Sequence, residues 1–388
     1  MTLHCHIHDA FDEVKSNWSN FLPLGHHLIS NDVLAIENSH LNDIKIKYID
    51  LYQDGKMIGV AYIQCLEFNT RQYAPKTFEH KLFEPIKNCL IGKKVQFLIC
   101  GNLFRVKFQG FYFSDKLQKA LIFDFLKEIK KALSKEDNYC AILLKDCSRT
   151  FTSKQCSLAA FKPFRNDLTM ELSLGSWKTF DEYTQALNRK YRQRALKIRK
   201  SLNGLNCREL SLEDITAESP NMMRLYNNIV DEQTITLGRL NAAYFIQMKS
   251  LMPDTFRVYG YFKDEQLIAF SSQIDYPEKN SMEIHYIGLD YQYNQTHNLY
   301  FNILFDGICC AMQRGFKTLE MGRTAKEAKA NTGAVAVENF NYIWIKPGIL
   351  RVVFYFLNNW YAQNIGDKWQ ERHPFKSNQE TKPILTEA

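Results

Sequence analysis

Apolar and polar positions alternate along much of this chain, and the alternation comes in two rounds. "IKIKYIDLYQDGKMIGVAYIQ", Ile44 to Gln64, has the two-residue period of paired strands around a tight turn at Asp54 and Gly55. "VQFLIC" reads as a third strand. From Lys116 to Lys131 the period changes: Leu117, Leu121, Phe125 and Ile129 recur at every fourth position and make one apolar stripe of a helix. "AILL" returns to strand. The second round begins with "FRVYGYFKDEQLIAFSSQID" (Phe256–Asp275), a strand pair around an acidic turn, and continues with the strand "SMEIHYIGLD". "LYFNILFDGICCAMQRG" reads as a helix stopping near Gly315, and "KTLEMG" as the strand after it. Hairpin, strand, helix and strand thus occur twice in one order. That predicts an α/β chain with mixed sheets on a duplicated plan. Residues 1–175 and 176–345 are expected as its two domains, followed in 346–388 by a helix, "LRVVFYFLNNWYAQN", and a tail that looks loose from His373 onward.

Between the rounds lies "SWKTFDEYTQALNRKYRQRALKIRKSLNG", Ser176 to Gly204, with a serine to cap a helix and a glycine to stop it. Leu187, Tyr191, Ala195, Ile198 and Leu202 form its apolar stripe. Arg189, Lys190, Arg192, Arg194, Lys197, Arg199 and Lys200 cover the other faces, and no acidic residue occurs between Glu182 and Lys200 to cancel them. Such a face is either a solvated surface or a wall for phosphate groups, to which arginine offers paired donors. Arg192, Arg194 and Lys197 are the candidate phosphate contacts.

Composition narrows the class. With 388 residues, 45% hydrophobic and 13% aromatic, the chain has globular composition and length enough for more than one core. A formal charge of +7 permits an anionic partner without demanding one, and no DNA-reading pattern accompanies the basic stretch. The ten cysteines form no CxxC pair and several lie inside apolar runs, so they are expected as reduced thiols in a cytoplasmic protein rather than as disulfides or zinc ligands. No basic region followed by an apolar stretch opens the chain, so no signal peptide is expected, and "VVFYFL" is too short for a membrane span. His4, His6 and His8 would share one side of a strand, a weak metal motif without a carboxylate cluster beside it, and no metal is assigned.

The basic helix "LNRKYRQRALKIRKS", the hairpin "VYGYFKDEQLIAFSSQI" and the run "IHYIGLDYQYNQTHNLYFNILFDGICCAMQRGFKTLEMGRT" together resemble the GNAT acyltransferase superfamily. The chain looks like a double-domain member close to the FemAB-like aminoacyl transferases and the related single-chain acetyltransferase-like proteins. The resemblance covers most of residues 25–345 and implies two tandem GNAT-like folds. It also implies transfer of an acyl or aminoacyl group to a primary amine, by direct attack and without a tightly bound cofactor. Acyl-CoA and aminoacyl-tRNA are the donors such proteins use. Acyl-CoA-using relatives place a glycine-rich turn after the "IGL"-type strand, where helix-terminal amides hold pyrophosphate. Here that place is "DYQYNQTHNLY", Asp290 to Tyr300, without a glycine, which weighs against acetyl-CoA. A rival expectation is a non-catalytic module with the same fold that binds a phosphorylated metabolite or RNA.

Candidate residues follow from local spacing and from this resemblance. Glu283 and His285 are two apart on "SMEIHYIGLD" and share a face, with Ile284 and Tyr286 on the other. The pair either relays the proton of an attacking amine or is an ordinary hydrogen-bonded histidine in a sheet. Asp290, at the strand end where the superfamily opens its sheet, reads equally as a catalytic carboxylate and as a helix cap. Tyr286, Tyr291 and Tyr293 are weaker candidates. "LEMGRTAKEAKANTG" is a polar neighbourhood in which Gly322 turns the chain off the sheet and Arg323 first, then Lys326, can reach an acidic or phosphorylated group, unless Lys326, Glu327 and Lys329 form an exposed helical face. Glu320 and Lys329 share that neighbourhood.

Overall fold

The computed structural model describes residues 3–68, 95–114, 119–134, 139–148, 160–164, 168–233, 237–346, 348, 351–352, 355 and 369–376. Leu117 of the expected helix stripe and most of the expected C-terminal helix lie outside the described residues.

The first round of alternation becomes one lobe. It opens with β1 (Leu3–His8), α1 (Phe11–Phe21) and α2 (Asn31–Asn38), followed by the hairpin β2 (Ile44–Gln53) and β3 (Lys56–Phe68). Asp54 and Gly55 both have positive φ, 49° and 79°, the two-residue turn whose twist matches the strands. β4 (Val95–Cys100), β5 (Phe111–Phe113), α3 (Lys119–Ser134), β6 (Tyr139–Cys147) and β7 (Lys162–Phe164) complete the run. Phe125 and Ile129 of the expected stripe are buried against the sheet with Leu98, Ile142 and Leu144.

The second round becomes the other lobe: β8 (Leu168–Ser173), α4 (Phe180–Ala186), α5 (Arg189–Lys200), β9 (Asn206–Glu209), α6 (Leu212–Val230), α7 (Ala242–Leu251), β10 (Phe256–Lys263), β11 (Gln266–Tyr276) and β12 (Ser281–Leu289). After these come α8 (Tyr291–His297), α9 (Leu299–Gln313), β13 (Thr318–Glu320), α10 (Lys326–Ala330), β14 (Val335–Glu338) and β15 (Phe340–Ile345). The result is a mixed α/β fold with two sheet-containing lobes.

Two strands are exchanged between the lobes. The first sheet has the order β1-β2-β3-β4-β6-β15-β7, with β5 on β3; the second has β14-β8-β13-β12-β11-β10-β9. β8, on the N-terminal side of the expected boundary at 175/176, is wedged between β13 and β14 of the second sheet. β15, from the end of the second segment, is wedged between β6 and β7 of the first. The boundaries 1–175 and 176–345 therefore do not coincide with the sheets. Burial is the physical reason: Met170 and Leu172 of β8 belong to the second lobe's core, and Tyr342 and Trp344 of β15 to the first's.

The single basic helix expected from Ser176 to Gly204 is two. Thr179, not Ser176, caps α4 by accepting the N–H of Glu182 at 3.2 Å. The break at Leu187–Asn188 is imposed by the tail: Leu187 bridges to Phe375, and Asn188 donates its N–H to the Pro374 carbonyl at 2.8 Å. The Asn188 carboxamide adds a bond to the Phe375 carbonyl at 3.0 Å. Residues 373–376, expected to be loose, are thus docked.

The lobes meet through a shared core. Ala35, Ile36, Ile44 and Phe104 of the first pack with Tyr244, Phe245, Phe256 and Ile274 of the second. Asn31 bonds the Leu251 carbonyl at 2.8 Å, and Asn241 the Ser39 carbonyl at 2.7 Å. Strand exchange plus a common core predicts one cooperative unfolding transition. Trp344→Ala, on the exchanged β15, should cost roughly 3–5 kcal/mol of stability. Denaturant unfolding followed by a far-UV and a fluorescence probe checks it, with coincident curves expected for the parent.

Candidate active site

β12, β13 and β8 lie side by side, and their register sets Glu283 opposite Glu320 and Glu320 opposite Glu171. Partners in register share a face, about 5 Å apart. Three carboxylates therefore stand abreast on the side of the second sheet that faces the first lobe. Glu283, Glu320 and Glu171 are only 4%, 8% and 5% exposed, too little for water to solvate three negative charges.

The outer two are compensated. Arg105, on the loop between β4 and β5, brings its Nε to 3.5 Å from Glu283 and pairs with Asp32 of α2. Its guanidinium also lies 4.9 Å from the centre of the Tyr276 ring. Glu283 accepts from His285 Nδ1 at 2.8 Å and from the Tyr276 hydroxyl at 3.1 Å. Tyr244 stands 2.7 Å from the other imidazole nitrogen. With Nδ1 donating to the carboxylate, Nε2 is left to accept the tyrosine proton. Burial alone would raise Glu283, but His285 and Arg105 outweigh it and hold its carboxyl below the usual range. Burial likewise depresses His285, against the pull of Glu283, which favours the neutral ring. At the other end, Lys107 Nζ lies 2.7 Å from Glu171.

Glu320, in the middle, has no such partner: its Oε1 is buried without a hydrogen bond. Burial first, and then the charge of Glu283, push it up to about 8. Beside it is Lys329 of α10, 3% exposed, whose amine burial draws down to about 7 against the pull of Glu320. A Cβ built on Gly322 would come 3.9 Å from Lys329 Nζ, which locates that amine at the turn where φ is +75°. β12 and β13 pair only as far as Glu283 and Glu320. Beyond them the chain of β13 follows β8 instead, Met321 donating to the Met170 carbonyl at 2.8 Å. The two strands part at the carboxylate pair. An acid–amine couple whose members both titrate near neutrality, at the place where two strands part, is equipped to move a proton to or from a substrate.

The other sequence candidates lie elsewhere or do other work. Glu283 and His285 share a face as expected from their spacing. Tyr286 does not take the opposite one, because the β11–β12 register shifts between Ser271 and Gln273 and turns its ring toward Tyr226, Phe245 and His285. Asp290 caps α8, accepting the N–H of Gln292 at 3.0 Å, and pairs with Arg224 at 3.5 Å. Arg323 spans the lobes, 2.7 Å from Asp146, which Lys145 also contacts. Lys326 is half-buried on α10. Arg192, Arg194 and Lys197 are exposed on α5, and Arg194 lies 4.8 Å over the Phe301 ring. Those three belong to the opposite face of the sheet, where α5 packs against α9. His8 turns to Asp50 and Glu13, while His4 stacks on Tyr52 and His6 lies tilted against the same ring.

The segment Asp290–Tyr300, marked by its lack of glycine, forms α8 and the start of α9. The Asn294 carboxamide accepts the N–H of Tyr300 at 2.9 Å, so one of the amides that a pyrophosphate would use at the N-terminus of α9 is already filled. Asn298 precedes that helix in a left-handed conformation and donates to Ser201 Oγ at 3.3 Å.

Arg105, Lys107, Glu171, Asp32, Asp146, Tyr244 and Tyr276 were not among the sequence candidates. Their one local signal is the pair of basic residues in "GNLFRVKFQG", a loop whose neck is closed by Gly101 and Gly110. A Cβ on Gly110 would fall 2.1 Å from the Gly101 nitrogen.

Glu320 has a consequence for stability. Its folded value of about 8 lies above the ordinary 4.5, so between these limits the folded protein holds a proton that the unfolded chain releases. Stability from this group is then lost as pH rises through that window. Glu320→Gln should therefore gain stability relative to the parent at pH 8–9 and little at pH 5, as measured by denaturant midpoints across pH.

Comparison with known proteins agrees with this layout. The sequence profile of the FemAB-like family, described as peptidoglycan biosynthesis/recognition, matches residues 111–377. The crystal structure of FemX superposes with a TM-score of 0.52 at 12% identity, over 93% of this chain and 100% of that one. The C-terminal domain of a putative lysylphosphatidylglycerol synthetase from Agrobacterium fabrum gives 0.50 at 10% identity, over 92% and 98%. At such identities the likeness is one of fold. No curated protein matches the sequence. The profile spans well over half of the chain, and on that ground the protein belongs to the FemAB-like family.

Proposed function

We propose that this protein transfers an acyl or aminoacyl group to a primary amine, with the chemistry centred on Glu320 and Lys329. The observation that carries the proposal is the unpaired, buried Glu320 carboxyl beside a buried lysine where β12 and β13 separate. In this reading the amine nitrogen attacks the donor's carbonyl carbon and forms the new C–N bond. The nitrogen's proton passes to the Glu320 carboxylate, and the Lys329 ammonium stands by the oxyanion. Collapse of the tetrahedral species breaks the bond to the donor, and the departing sulfur or oxygen takes the proton back from Glu320. Glu283, held ionised by Arg105 and His285, keeps Glu320 basic enough for the task.

For the donor, two features favour aminoacyl-tRNA over acyl-CoA. The amide at the start of α9 is occupied by Asn294, and α5 presents Arg189, Lys190, Arg192 and Lys197 to solvent. Acetyl-CoA is accordingly expected to bind more weakly than about 0.1 mM in a calorimetric titration. Arg192→Ala and Lys197→Ala should each weaken charged-tRNA binding and lower its salt slope by about one if the residue touches a phosphate. Both should leave thermal stability unchanged, because neither side chain is buried. Unchanged binding in both variants at low salt refutes the phosphate wall.

Glu320→Gln and Lys329→Ala should each reduce single-turnover transfer by about 10²–10⁴-fold. In the parent the rate should climb with pH toward about 8 as Glu320 ionises, and that limb should vanish in Glu320→Gln. A Glu320→Gln variant that keeps the parent's rate and pH profile ends this assignment.

A further inference from the structure

α10 carries Lys329, yet little inside that helix keeps it in place. It has five residues, too few to be stable alone, and its N-cap, Ala325, is left-handed with φ 50° and gives no side-chain bond. Tyr183 of α4 holds the turn after it, donating to the Thr332 carbonyl at 2.8 Å. Further support comes from a stretch distant in sequence, residues 369–376. Gln370 donates its N–H to Glu327 Oε1 of α10 at 3.2 Å. At the far end of the helix, the Lys329 carbonyl accepts the N–H groups of Thr332 at 2.9 Å and Ala334 at 3.2 Å. The Thr332 hydroxyl adds a third bond to it at 2.7 Å. Gly333 lies between these donors with φ +96°, and a Cβ built there would fall 2.1 Å from the Phe375 ring. The ring thus presses on the turn that closes α10. Trp177 and Tyr183 stand around it, their ring centres 5.1 Å and 6.2 Å away. Backbone bonds pin the same stretch to the break between α4 and α5: Lys376 donates to the Ala186 carbonyl at 3.1 Å, and Asn188 to the Pro374 carbonyl at 2.8 Å.

We propose that residues 369–376 are a strap that sets the position of the Lys329 amine, and that Phe375 is the positioning residue through which it acts. Phe375 works through Gly333 and the turn bonded to the Lys329 carbonyl, not at the reacting atoms. α10 then has two clamps, Gln370 on its first turn and Phe375 beyond its last. With both in place the Lys329 stem leaves a fixed backbone, and its amine is kept from water, the residue being 3% exposed. With the strap lifted, so short a helix frays and water reaches the amine. One segment therefore fixes both the start of the basic helix α5 and the seat of the buried amine. The inference rests on the proposed transfer reaction only in giving the held amine a chemical task.

The test titrates the Lys329 amine by carbon NMR of protein isotopically labelled at lysine Cε, with no donor or acceptor present. Loss of one resonance in Lys329→Arg assigns the signal. Glu320 on β13 and Lys326 on α10 are the charged groups that act on this amine, and every variant titrated retains both. The parent should show a midpoint of about 7. Phe375→Ala should raise it by about one pH unit or more toward the ordinary lysine range, because water entering beside α10 favours the charged form. Ile303→Val, a core change on α9 packed against Tyr261 and Ile268, should lower the melting temperature and leave the midpoint where it is. An unchanged midpoint in Phe375→Ala, or an equal rise in Ile303→Val, overturns the proposal. If Phe375→Ala does not fold, Gln370→Pro decides, since it removes the N–H given to Glu327 from an exposed residue. A rise of about half a pH unit is expected there, and no rise overturns the proposal. Because the titration needs no turnover, absence of transfer with every donor would refute the transferase reading and leave the strap standing.

Discussion

Three buried carboxylates in one row across β12, β13 and β8 are the constraint on which the arrangement of the lobes depends. Like charges at strand spacing cannot all ionise in a dry interior without counter-charge. The second lobe's own strands supply little of it: His285 gives Glu283 a hydrogen bond from a ring that burial keeps neutral. The first lobe answers with Arg105 at one end and Lys107 at the other, both from a loop that it thrusts across the interface. Asp32 then steadies Arg105, and Asp146 steadies Arg323 from the same side. The middle carboxylate is left to hold its proton. Within the row, the carboxyl shifted furthest is therefore the one whose neighbours on both sides already hold the available counter-charges.

Such a balance needs rigid supports, and the strand exchange provides them. β8 carries Glu171 into the second sheet from the stretch between the lobes, while β15 returns to close the first sheet. Neither lobe can drift without pulling a strand that is paired on both sides out of the other's sheet. The hydrophobic cluster joining Phe104 to Tyr244 and Phe256 adds a second tie at the same interface. Arg105 thus stays within reach of Glu283 through the fold rather than through side-chain contacts alone, as a site that must hold two nearby pKa values apart requires.

How much of this could be read in the sequence follows from how far each signal travels. The hairpins were legible because Asp54-Gly55 and the acidic turn at Asp264-Glu265 mark themselves locally. The Glu283–His285 pair was legible from a two-residue period. Tyr286 misled because a register shift in β11–β12 breaks that period, and nothing in "EIHYIG" announces it. The break in the basic helix is set by Phe375 and Pro374, far along the chain. Glu320 and Lys329 stood out as a polar neighbourhood, yet their chemistry depends on Glu283, Glu171 and Lys107 arriving from three other segments. No window of sequence contains that information.

The two faces of the second sheet now carry opposite character. Toward α5 and α9 lie the exposed arginines and lysines of the basic stretch; toward the first lobe lies the carboxylate row. In the proposed transfer reaction an anionic donor is drawn to the basic face, and the acceptor amine meets it where β12 and β13 part, beside Glu320. Filling the amide at the start of α9 with Asn294 costs such a protein little, because a polyanion held along α5 does not depend on that seat. In that reading the basic helix at the midpoint of the chain offers exposed arginines and lysines to an anionic donor, while the carboxylate row beyond the sheet is balanced by cations of the first lobe.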